Sequence, residues 1–113
     1  MWIFAENAFL SIVEYEGGTD MLLVRARLPG DIQAVFPDAE VTEDEGLDYR
    51  FFARLHRKEV AETVFTQVMS IDYGNFKLSV KDNFRYDVYT KVWAVMIDAQ
   101  EWIRNGGTSR RRG

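Results

Sequence analysis

The stretch "DYRFFARLHRKEVAETVFTQVMSI", residues 48–71, changes its hydrophobic period midway, and that change decides the fold. Tyr49, Phe51, Ala53 and Leu55 fall on one side of an extended chain, and Arg50, Phe52, Arg54 and His56 on the other. Alternation of this kind predicts a strand with one buried face. From Lys58 the repeat lengthens. At about 100° per residue Val60, Val64, Val68 and Ile71 share one quadrant, with Ala61 and Phe65 beside them. Glu59, Glu62, Thr63, Thr66, Gln67 and Ser70 take the opposite arc, which predicts an amphipathic helix over 59–73 stopped by Gly74.

Upstream of this junction the signals are those of strands. "WIF" and "AFLSIVEYE" flank "AEN" as a hairpin, and "EGGTD" offers Gly17 and Gly18 for a turn with positive φ. "MLLVRARL" alternates, with Val24, Ala26 and Leu28 on one face and Leu23, Arg25 and Arg27 on the other. "PGDIQAVFPDA" predicts a short helix capped by Asp31 and stopped by Pro37. "EVT" and the strand from Tyr49 form a second hairpin, bent at Gly46. Downstream, Asn75 caps a further short turn, and residues 84–104 predict a helix whose polar strip is Asp87, Thr90, Lys91, Asp98, Glu101 and Arg104. Strands first and helices last imply an α+β fold: an antiparallel sheet of about four or five strands with two main C-terminal helices packed on one face. The expected organisation is one compact domain over residues 1–105 and a flexible Arg-rich tail over 106–113.

Composition narrows the function. The 113 residues are 47% apolar, enough for a core, and contain no cysteine, which excludes disulfides, thiolate metal sites and cysteine nucleophiles. The longest apolar run, "VWAVMI", is far too short to span a membrane, and "MWIFAEN" lacks the basic start of a signal peptide. A cytoplasmic protein is expected. Residues 1–103 hold 18 acids against 10 Lys and Arg, so the net charge of −4 divides into an acidic body and a basic end at Arg104, Arg110, Arg111 and Arg112.

No catalytic constellation emerges. His56 is the one histidine, and although Arg50, Arg54, Arg57 and Lys58 lie near it, acid–base chemistry needs a second positioned group. A His56-dependent nuclease is therefore the weakest of three readings. The acids lack calcium-loop spacing, and the glycine pairs lack the pattern of a phosphate loop, so neither metal nor cofactor is expected.

Three surfaces remain. "DAEVTEDEGLDY", residues 38–49, places Glu43, Asp44, Glu45 and Asp48 in a turn with no basic residue among them. On the final helix Tyr86, Tyr89, Trp93 and Ile97 form an apolar edge of the kind that anchors interfaces. On the outer face of the sheet Arg25, Arg27, Arg50, Phe52, Arg54 and His56 combine cations with an aromatic, as single-stranded nucleic acid requires.

Taken together, "MWIF", "AFLSIV", "LLVRAR", "DIQAVFP", "IDYGNFK" and "VYTKVWAVM" resemble a set of short bacterial and mobile-element proteins that open with MWIF. The likeness runs to about Met96 and leaves out the Arg-rich end. It implies a compact domain and carries over no activity or site residue. The expected function is a small non-catalytic protein-binding module. In its concrete form this is a mobile-element anti-defence inhibitor or regulator, whose acidic loop occupies the basic surface of a nucleic-acid-binding complex. The alternative is a nucleic-acid-binding module using the arginine face.

Overall fold

A computed structural model describes residues 1–17 and 20–107. Gly18, Thr19 and residues 108–113, which hold most of the expected tail, lie outside the described residues. The chain divides into two compact units, Met1–Gly74 and a second beginning at Asn75.

The first unit is built on a five-stranded antiparallel sheet. Its strands are β1 (Trp2–Ala5), β2 (Ala8–Glu14), β3 (Met21–Ala26), β4 (Thr42–Glu43) and β5 (Phe51–His56), in the order β1-β2-β3-β5-β4. The fold class is α+β, as the period change implies. Helix α1 (Asp31–Val35) follows β3, and α2 (Arg57–Met69) follows β5 without a connecting loop.

Pairing of Ile12 with Val24 and of Val24 with Ala53 sets one face of the sheet, and Leu10, Ala26 and Leu55 share it. Ile32, Val35 and Phe36 from the α1 segment and Val60 from α2 close over these residues to make the core. Leu10, Val24 and Ile32 are fully buried. Pairing of Ser11 with Arg25 and of Arg25 with Phe52 sets the other face, where register also places Leu23, Arg54 and His56.

Several local expectations are corrected. Asp31 does not cap α1; that position is Gly30, at φ 85. The Asp31 carboxylate, 3% exposed, instead reaches to β2 and accepts a hydrogen bond from the Phe9 amide at 3.0 Å. Gly17 does not adopt positive φ; a Cβ there would crowd the Tyr15 ring, so it is room that the turn needs. The acidic turn is held by Asp44 Oδ1, which accepts from the Gly46 amide at 2.9 Å, and not by an unusual φ at Gly46. Tyr49 does not share the face of Phe51, because β5 starts only at Phe51 and the bend before it turns the ring toward Arg25 and Arg27. Helix α2 ends at Met69 and not near Gly74. The Ser70 amide lies within reach of both the Thr66 and Gln67 carbonyls and its hydroxyl bonds Thr66 O at 2.8 Å, a local competition that breaks the helical ladder.

The second unit holds α3 (Phe76–Ser79) and α4 (Asn83–Arg104). Asn75 caps α3 through the Leu78 amide, and Asp82 caps α4 through the Arg85 amide. The end of α4 is a paired turn. Gly106, at φ 87, donates to Ile103 O at 3.1 Å, and Gly107 donates to Trp102 O at 2.8 Å. No helix among the described residues is long and apolar enough to cross a membrane.

Candidate functional site

The charged residues singled out in the sequence are brought together, but largely onto one another. β4 and β5 form the second hairpin, and its turn folds Glu43 and Glu45 back toward Arg50. Arg50 Nη2 lies 2.9 Å from Glu43 Oε1 and 2.6 Å from Glu45 Oε1. Asp48 reaches Arg27, with Nη1 3.1 Å from Oδ1 and 2.9 Å from the Asp48 carbonyl. Asp44 is engaged with the turn itself. The acidic run therefore does not present four bare carboxylates. Its charge is met by arginines from the strand ends, at solvent-exposed positions where each pair contributes roughly 0–1 kcal/mol.

The arginines are held from a second side by aromatic rings. The buried Tyr49 ring has the Arg27 guanidinium carbon 4.0 Å and the Arg25 carbon 4.4 Å from its centre. Arg25 Nη2 also donates to Ser11 Oγ at 2.8 Å, across the β2–β3 pair. Its buried Nε has no hydrogen-bond acceptor among the described residues, and the ring face supplies the compensating attraction. The hydrogen bond to Asp48 holds Arg27 above the ordinary guanidinium range; burial, the next effect in size, opposes it, and the Asp48 charge and then Tyr49 add to the rise. Arg54, exposed like Arg27 and Arg50, differs from them in having no carboxylate partner among the described residues. Its guanidinium lies 5.0 Å from the Tyr15 ring and 5.6 Å from the Phe52 ring.

His56 is exposed at the junction of β5 and α2, paired in register with Met21. Its side chain makes no capping bond to the helix it precedes. No group of three or more His, Cys, Asp or Glu among the described residues is placed to hold a metal ion.

The helix edge is split. Tyr89 is buried, stacked on Phe76 of α3 with ring centres 5.7 Å apart. Tyr86 is half-buried, while Trp93 and Ile97 reach solvent, with Lys77 Nζ 3.7 Å from the centre of the Trp93 ring. What this edge offers outward is therefore Trp93 and Ile97.

One surface was missed. In the first unit a groove of about 460 Å³ runs between β1 and the second half of α2, lined by Trp2, Ile3, Val64, Val68 and Ile71 among others. The periodicity of α2 marks these residues as core, yet Val60 is its only buried side chain. Val68 is 59% exposed and Ile71 53%, and Phe65 and Met69 also stand in solvent. The sequence carried no signal for this: a helical repeat shows which side of α2 is apolar and not how much of that side the sheet covers. Compared with family models, curated proteins and solved structures, the chain matches none.

Proposed function

We propose that this protein is a small non-catalytic protein-binding module that regulates or inhibits the protein it holds. The observation that supports this best is the apolar groove between β1 and α2, with Val68 and Ile71 exposed along it. Large exposed apolar patches are uncommon on proteins that act alone, and grooves of this kind take apolar side chains from a partner. The acidic loop enters this reading as a rim that tunes association rate, because Glu43, Glu45 and Asp48 are already answered by Arg50 and Arg27. Phosphate mimicry in a basic nucleic-acid-binding groove would require those pairs to open.

A second reading, single-stranded nucleic acid bound on the outer sheet face, draws on one specific feature: exposed Arg54 beside Phe52 and Tyr15, a cation among rings on which bases stack. Affinity capture from host lysate, with and without nuclease, separates the two. Under the favoured reading a protein remains bound after nuclease treatment and is lost from the Val68→Asp, Ile71→Asp double variant. Capture that vanishes with nuclease and with Arg54→Ala, but survives the double variant, would replace it with the nucleic-acid reading.

A further inference from the structure

In the second unit α3 packs on one side of α4 through Phe76 on Tyr89 and Lys77 over Trp93. About 120° around the helix from that edge runs another apolar line: Val88, Val92, Val95, Ala99 and Trp102. Its steps alternate between four and three residues, the repeat of a helix–helix seam. Val95 and Met96, which borders the line, are each 63% exposed, and Ala99 is exposed too. Valine is a mediocre helix former, so Val88 and Val95, both exposed on this line beside the half-buried Val92, serve no local purpose.

The rim of the line indicates what covers it. Lys91 and Asp98 stand on the same border, one heptad apart. That is about 10 Å along the axis, too far for the two to pair with each other. Neither makes an ion pair among the described residues. They ask for a helix that presents a negative charge opposite Lys91 and a positive charge opposite Asp98, at the same spacing and in reverse order. Antiparallel α4 is such a helix.

We infer that α4 pairs antiparallel with α4 of a second copy of this chain, making a two-helix seam at the centre of a homodimer. The twofold axis then passes between Val92 and Val95, so that Val92 of one copy meets Val95 of the other and Val88 meets Ala99. Lys91 lies beside Asp98 of the second copy, twice by symmetry. A parallel pair would instead set Trp102 against its own copy and Lys91 beside Met96, leaving both charges unanswered. Opposed helix dipoles favour the same choice. The seam uses none of the groove residues, so the inference stands independently of the proposed partner binding.

Two helices of this length bury less than about 1,200 Å², the size of weak, reversible interfaces, so a dissociation constant on the order of 1–100 µM is the range to search. Sedimentation equilibrium of the full chain across and above that range tests it. The expected result is a monomer–dimer equilibrium, weakened roughly 100-fold or more by Val95→Glu at an exposed position that leaves the circular dichroism spectrum unchanged. Lys91→Glu alone should weaken the dimer about 3–10-fold, and the Lys91→Glu, Asp98→Lys swap should restore it. A wild-type chain that stays monomeric throughout overturns the inference and leaves the line to a different protein. So does a dimer that Val95→Glu does not weaken. A dimer that the charge swap fails to restore overturns the antiparallel register.

Discussion

Tyr49 is the residue on which the arrangement of the outer arginines turns, and replacing it isolates that role. Its ring is buried, with guanidinium carbons 4.0 and 4.4 Å from its centre. In Tyr49→Leu both cation–ring contacts disappear, at about 0.5–1 kcal/mol each for partly exposed cations. The smaller, differently shaped side chain leaves a packing defect of about 1–2 kcal/mol more. The sum is about 2–4 kcal/mol. For a unit of this size each kcal/mol moves the melting temperature by roughly 4–8 °C, so a fall of about 8–32 °C is expected. Tyr49→Phe keeps the ring and both cations, losing only the hydroxyl's part in holding Arg27, and should cost under about 1 kcal/mol. Thermal and urea unfolding of wild type and both variants measure the difference. If the leucine and phenylalanine variants melt together, the cation–ring contacts contribute nothing and the account of how Arg25 and Arg27 are positioned fails.

Neutralising the acidic turn with Glu43→Gln, Asp44→Asn and Glu45→Gln should change unfolding free energy by no more than about 1 kcal/mol, since the pairs it removes are solvent-exposed; partner affinity should fall modestly and lose salt dependence, whereas complete loss of binding would restore the acidic loop as the main contact. His56→Ala should leave both melting temperature and partner capture unchanged, and loss of activity from a folded variant would bring the nuclease reading forward. Gly107→Ala should destabilise the end of α4 by about 1–2 kcal/mol, visible as faster amide exchange over its last turn, because the new methyl group would overlap the Trp102 indole. Exchange unchanged from wild type would show that the paired turn at Gly106 and Gly107 is not what ends the helix.

The fold was legible where a pattern is local. Alternation over Met21–Ala26 and over Phe51–His56, and the lengthened period after Lys58, depend on neighbours in sequence, and they specify strand, strand and helix correctly. Tyr49 escaped because parity is informative only inside a strand, and the two-residue β4 gives β5 no partner before Phe51. The candidate charges were identifiable as residue types. Pairing of outward arginines with acids such as Glu43 was open to the sequence and Arg50 makes it, but the Arg27–Asp48 contact was not legible, because it spans 21 positions and exists only once β3 and β5 are in register. The exposed stripe on α2 was hidden for a related reason. Periodicity shows which side of a helix is apolar, while burial depends on how far the sheet beneath it extends.

The strand order has a kinetic consequence. β1, β2 and β3 are joined by short turns, so their pairing needs little loop closure, but β5 joins the sheet by pairing Met21 with His56 and Ala26 with Phe51. Closing the loop from Ala26 to Phe51, about 24 residues, costs about 2 kcal/mol more entropy than closing the two-residue β1–β2 turn. That step also assembles Val24 against Ala53 and brings the α1 segment over the core, so the barrier to folding belongs there. Shortening a Val24 or Leu55 side chain should then slow refolding, while the same change at Ile3 in β1 should chiefly speed unfolding. The meander at one end of the sheet is ready early, and the molecule waits for its fifth strand.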